Sequence, residues 1–232
     1  MKHLAKMVRW YFLLDYRFYI IHISFATVIL WAILLHLFPS ANNGKILSSL
    51  IFLDPAILGF VFIGTLILYE KTNRSLYALT VTPMEVREYL LTHIITLTSI
   101  ATAGSLVLVV LTIGLTVNYL YFFPGIILTS AFFVLAGFIA VSRFSRVNDY
   151  FIAGSFTLLF LNVPLIYHFG LSDSPLFYLF PTQASLLLFS GIFDPVSPVD
   201  SIYSVVMLSV WVFLCYMTAE KMFYNHIASR GD

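Results

Sequence analysis

Between residues 69 and 93 the chain reads YEKTNRSLYALTVTPMEVREYLLTH, and six of its 23 acidic and basic residues fall there: Glu70, Lys71, Arg74, Glu85, Arg87 and Glu88. Such a density of carboxylates and cations could serve acid–base chemistry, hold a metal or contact a partner. The rest of the chain narrows the choice. H-E-x-x-H is absent, and none of the histidines His3, His22, His36, His93, His168 and His226 pairs with another at metal-ligand spacing. No G-x-x-x-x-G-K-[ST] phosphate loop occurs, so ATP is not held in the usual P-loop manner. Ser105 and Ser155 directly follow Gly104 and Gly154, which is the wrong spacing for the G-x-S-x nucleophile of an intramembrane serine protease, and the last apolar run has no histidine. No catalytic, cofactor-binding or metal-binding residue is assigned. What the segment does carry is helix-start chemistry. Thr82 reads as an N-cap, Pro83 as the first helical residue and Glu85 as the side chain that reaches back to the Thr82 amide. A bare linker does not need about 20 residues built this way. A docking surface presenting Leu76 and Tyr77 beside those charges does.

The elements that position this segment follow from composition. Hydrophobic residues make up 60% of the 232-residue chain and charged ones 10%, with a mean hydropathy of +0.96. Soluble domains run nearer 25% charged, so the fold expected is an all-α polytopic membrane protein in a single 1–232 transmembrane domain. Six apolar windows are long enough to cross, near 20–38, 50–69, 91–117, 120–141, 150–169 and 201–219. The first is too long for a signal-peptide core and no small-residue cleavage site follows, so it reads as a retained span. The second is the least regular, because Asp54-Pro55 lies near its start; Asp54 reads as a cap and Pro55 as a first helical residue. Lys2, Lys6, Arg9, Arg17, Lys71, Arg74, Arg87, Arg143, Arg146, Lys221 and Arg230 fall on one side of this layout and only Lys45 on the other. By the positive-inside rule both termini and the 70–90 segment are then cytoplasmic. A formal net charge of +1 with no basic stripe gives no sign of a nucleic-acid partner. The single cysteine, Cys215, rules out an internal disulfide.

Residues 1–19 read as an amphipathic helix in the headgroup region, with Leu4, Met7, Tyr11, Leu14 and Phe18 on one stripe and Lys2, Lys6 and Arg9 elsewhere. Thr98, Thr102, Ser105, Thr112 and Thr116 give the third span a small, weakly polar face suited to helix packing. Asn162 and Pro164 predict a kink in the fifth span. Residues 170–200 carry Pro175, Pro181, Pro195 and Pro198, three aspartates and no Lys or Arg. They read as an outer loop with short helices, folded against the membrane face or partly re-entrant.

The segment from Glu70 to His93, with its "L-T-V-T-P" turn, resembles the region between the second and third spans of ABC-2-type transporter permeases. That family typically shows a Glu after the second span, a run ending "L-x-V-T-P", and then a helix. The resemblance extends to the N-terminal helix, the six spans and the long outer loop containing "FYLFP". It is strongest to small bacterial drug-export permeases such as the fluoroquinolone-export type. Arg74-Ser75 stands where many members have Gly-Thr, and Thr92-His93 where many have Gly-Lys. The resemblance implies the permease subunit of an exporter in the bacterial or archaeal cytoplasmic membrane, working as a dimer with a second copy or a related permease. ATP and Mg would be bound by a separate ABC subunit, present in two copies. It also implies that Glu70, Arg74, Leu76, Tyr77, Thr82, Pro83, Glu85, Arg87 and Glu88 form the ATPase-coupling region. The path for an apolar or amphipathic cargo would run along the second and fifth spans, past Phe60, Thr65, Phe156, Phe160 and Asn162. The alternative is a non-transporting membrane scaffold or immunity protein that recruits a cytoplasmic partner through the same segment.

Overall fold

The structure, a computed structural model, describes residues 2–38, 43–73, 86–115 and 117–223. Within them six helices are long and apolar enough to cross a membrane: Ile20–Leu37, Gly44–Thr72, Val86–Ile113, Tyr119–Val141, Val147–His168 and Pro198–Phe223. They are numbered here as spans one to six. No strand occurs among the described residues. The second and fourth spans are the most deeply buried, and the first, fifth and sixth the least. The core therefore sits around the fourth span, which packs against the second, third and sixth.

An N-terminal helix, Lys2–Arg17, precedes the spans. It closes with a cation, Arg17, in its last turn, where the helix dipole favours one. Tyr19, at φ 60, then turns the chain sharply into the first span. The stripe expected to meet lipid packs instead on the bundle: Tyr11 and Asp15 are buried, while Leu4, Met7, Leu14 and Phe18 are partly so. Trp10, Leu13 and Tyr16 are the exposed apolar groups of this helix.

The reading of Asp54-Pro55 as a helix start is overturned. The second span begins ten residues earlier, at Gly44, where the Asn43 side chain caps the Ile46 amide at 2.9 Å. Pro55 removes one backbone donor inside this helix. The chain tolerates it by widening into a π-turn over Leu58–Phe62 before the α-helix resumes at Ile63. Asp54 is thus carried into the middle of a span.

The π-turn lies flat on the fourth span because Gly59 and Gly137 leave room for backbone to meet backbone; a Cβ on Gly137 would fall 2.8 Å from the Phe60 carbonyl oxygen. Tyr150 of the fifth span donates its hydroxyl to that same carbonyl and stacks on the Phe60 ring. The fifth span bends where Asn162 and Pro164 predict: its regular helix ends at Leu161, and the Phe160 carbonyl accepts from Val163. At the far end of that span His168 Nε2 lies 3.0 Å from both Ser48 Oγ and the Lys45 carbonyl, which ties the fifth span to the start of the second. Between the fifth and sixth spans lie a 3-10 turn, Pro175–Leu179, and a helix, Pro181–Ser190, nearly all of which is buried against the second, fourth and sixth spans. Thr129 and Ser185 join that helix to the fourth span at 2.9 Å. The Thr82-Pro83-Glu85 capping box, with Arg74, Leu76 and Tyr77, lies outside the described residues.

Candidate functional site

The charged end of the bundle gathers around Glu70. In the isolated chain this carboxylate is not on the surface; it is 4% exposed. Its Oε1 accepts from the Tyr11 hydroxyl at 2.8 Å and its Oε2 from the Tyr89 hydroxyl at 2.7 Å. One side chain at the end of the second span thus holds both the N-terminal helix and the start of the third span. Charge-assisted bonds of this kind contribute about 1.5–3 kcal/mol each. The local sequence makes the arrangement. Tyr11 and Asp15 are four residues apart on one helix, as are Tyr89 and His93 on another, so each pair shares a face.

Aromatic rings close the cluster. His93 sits edge-on to Tyr11 and Tyr89, with centroids 4.4 and 4.7 Å away. Phe138 and Phe223 cover Tyr89 from the fourth and sixth spans. Both ring nitrogens of His93 are buried without a hydrogen-bond partner among the described residues. Burial and the neighbouring Glu70 charge push the Tyr11 hydroxyl well above the ordinary tyrosine range.

Asp15 is the second acid of the cluster. It is fully buried, and burial, with a smaller contribution from Glu70, pushes its carboxyl up to about 7 against the opposing effect of the Thr96 hydroxyl. The consequence for pH has a definite sign. An acid whose value is raised on docking binds its proton more tightly when docked, so docking is strongest below the undocked value. It weakens as pH rises through the docked one. Between pH 6 and 8 the docking equilibrium of the N-terminal helix should fall by about tenfold. Hydrogen exchange of residues 2–17, corrected for its intrinsic pH dependence, reads this directly. The fall should be smaller in Asp15→Asn.

Lys71 takes a different role from its neighbours. Its ammonium donates to the carbonyls of Val141, Ser142 and Phe144, at 3.1, 3.2 and 3.1 Å, and so caps the C-terminal end of the fourth span. Arg87 is exposed and pairs with Glu220 of the sixth span at 3.3 Å; at that exposure the pair contributes little to stability. Glu88 is half-exposed one turn before the Thr92 hydroxyl, which donates to its carbonyl.

The five residues expected along a cargo path are not brought together. Phe60 is buried beneath Tyr150, whereas Phe156 and Phe160 project outward at 71% and 61% exposure. Thr65 bonds back to the Val61 carbonyl at 3.0 Å and lines a cavity of about 290 Å³ with Phe18, Tyr69 and Phe151. The Asn162 amide donates to the Leu158 carbonyl at 2.7 Å. Sequence reasoning missed Tyr11 and Tyr89 as partners of Glu70, and Asp15 and His93 as members of the same buried cluster. A signal for one of them was present: Asp15 is an acid on the apolar stripe of the N-terminal helix, four residues from Tyr11.

Comparison with known proteins gives one consistent result. Residues 2–231 match the fluoroquinolones export permease protein family. Two curated relatives are the fluoroquinolones export permease proteins of Mycobacterium tuberculosis strains CDC 1551 / Oshkosh and ATCC 25618 / H37Rv. Each is 33% identical over 181 residues, covering 77% of this chain and 76% of the relative. No solved structure matches. With six membrane-crossing helices and a family match over almost its whole length, the chain is a multi-pass membrane protein that belongs to the fluoroquinolones export permease family, a family of ABC-2-type permeases.

Proposed function

We propose that this chain is the membrane subunit of an ABC exporter that moves apolar or amphipathic drug-like molecules outward, driven by a separate ATP-binding subunit. The observation that carries the reading is the family match over residues 2–231, to permeases named for fluoroquinolone export. In this reading the basic end of the bundle faces the cytoplasm. The N-terminal helix lies at the headgroups, with Trp10, Leu13 and Tyr16 towards lipid. Two permease chains, identical or related, stand on two ATP-binding subunits that supply the ATP and Mg.

The chain's own part is mechanical. The ATP-binding subunit docks on the segment from Arg74 to Glu88, through Arg74, Leu76, Tyr77, Thr82, Pro83, Glu85, Arg87 and Glu88. Glu70 is buried in the isolated chain and takes part through its bonds to Tyr11 and Tyr89. ATP binding biases the bundle only through contacts that differ between its two states. A displacement of the docking segment reaches the second span at Glu70 and Lys71 and the third span at Arg87 and Tyr89. Because Glu70 joins Tyr11 to Tyr89, the N-terminal helix and both spans move together. Lys71 carries the fourth span with them. The third span is one unbroken helix of 28 residues, long enough to transmit the displacement across the membrane.

Co-purification tests the assembly. A tagged chain, extracted gently with its genomic neighbours expressed, should elute with a mass of two permeases and two ATP-binding subunits. Elution alone, or with a partner that has no ATP site, would favour a recruiting scaffold instead.

A further inference from the structure

We propose that Asp54, with Ser24 and Ser105, forms an intramembrane site for the protonated amine of an amphipathic cargo. The proposal rests on the export reading above and names the chemistry of what is exported. A cavity of about 130 Å³ opens between the first three spans, lined by Ser24, Asp54, Ser105, Trp31, Phe62 and Ile57 among others. Asp54 follows Gly44 by ten residues, about 15 Å of helix, which places it deep inside a 29-residue span.

Three polar atoms meet there unused. Asp54 Oδ2, Ser24 Oγ and Ser105 Oγ are each buried with no hydrogen-bond partner among the described residues. Ser24 and Ser105 are themselves 2% and 0% exposed. Two of them converge on one point: a Cβ placed on Gly104 would lie 3.1 Å from Asp54 Oδ2 and 3.3 Å from Ser24 Oγ, while Ser105 lines the same cavity. Ser105 is the next residue along the same helix. Each unsatisfied polar group in a span is costly, and a carboxyl there more so. Three left open along one cavity mark a place where something else supplies the donors.

The occupant's chemistry follows from the lining. An ammonium offers donors to one carboxylate and two hydroxyl oxygens. Trp31 and Phe62 present aromatic surface to the apolar body that bears it, and a ring can also attract the cation. Ile23 and Ile57 on the rim are 47% and 43% exposed, so the cavity is reached from the side of the bundle. A cation held by one charge and two neutral hydroxyls is also free to leave, as a transported cargo must be.

The test uses the full chain in lipid nanodiscs with Trp10 and Trp211 replaced by Phe, which leaves Trp31 as reporter. The probes are a fluoroquinolone with a free piperazine amine and the same molecule N-acetylated, followed by Trp31 quenching. The parent should bind the amine at least tenfold more tightly than the acetylated form. Asp54→Asn, which keeps shape and volume, should lose at least tenfold for the amine and less than twofold for the acetylated probe. Gly104→Ala, whose methyl fills the point of convergence, should also abolish the preference. Equal binding of both probes by the parent, or a preference retained in Asp54→Asn, would overturn the assignment. Accumulation of both probes in cells carrying the chain and its ATP-binding partner separates the two readings. Export with the preference intact in Asp54→Asn sinks the amine site alone. A parent that neither binds nor exports either probe sinks both.

Discussion

Glu70→Ala should release the N-terminal helix from the bundle while leaving the six spans inserted. The substitution strands two buried tyrosine hydroxyls, each of which donates to a different oxygen of that carboxylate. It also removes a side chain of the second span that bonds to both the N-terminal helix and the third span. Hydrogen-exchange protection of residues 2–17 should drop by at least tenfold, about 1.4 kcal/mol. Tyr11→Phe should give part of the same loss, and adding it to Glu70→Ala should cost nothing further, because the two groups share one bond. In the assembled exporter, drug-stimulated ATP hydrolysis should fall with the protection, while basal hydrolysis by the partner persists. Unchanged protection in Glu70→Ala would show that the apolar stripe alone seats the helix. Full coupling despite lost protection would remove Glu70 from the transmission path.

Gly137→Ala should destabilise the bundle. The added carbon would fall 2.6 Å from Ile63 Cγ2, 2.8 Å from the Phe60 oxygen and 2.9 Å from the Phe60 Cα. Two of those three atoms are backbone of the π-turn, which has no side-chain rotamer with which to give way. The methyl must push the second span off the fourth, and overpacking of that kind costs about 1–3 kcal/mol. In fluorescence-detected thermal unfolding the midpoint should fall by several degrees. Leu159→Ala, at a position 70% exposed on the outer face of the fifth span, should leave it unchanged. An undisturbed midpoint in Gly137→Ala would mean that the π-turn is free to slide along the fourth span.

How far these features were legible in the sequence depends on the range of the interaction that makes them. The six spans and the one-sided Lys and Arg placement come from composition over about 20 residues, which no tertiary contact reverses. The stripe of the N-terminal helix was equally plain, but not its partner. Apolar spacing states that one face is buried, and the bundle here takes the place assigned to lipid. Asp54-Pro55 misled because the pair is a good helix start in water. Within a span the same proline is absorbed by a π-turn, and the aspartate becomes an intramembrane carboxyl. Glu70 was visible as a charge at a span end. Its burial was not, since it depends on Tyr11 being 59 residues away in sequence and 2.8 Å away in space. The cavity shared by Ser24, Asp54 and Ser105 is of the same kind, with one residue from each of three spans.

In the proposed exporter this chain provides the route and a separate subunit provides the energy. The most direct test of that division is transport of a fluoroquinolone into inside-out proteoliposomes containing the purified chain, with and without the co-purified ATP-binding subunit. Accumulation should require both proteins and ATP. It should also fall at least tenfold when Glu70 is replaced by alanine. Accumulation without the ATP-binding subunit, or none with both present and ATP being hydrolysed, would contradict that division.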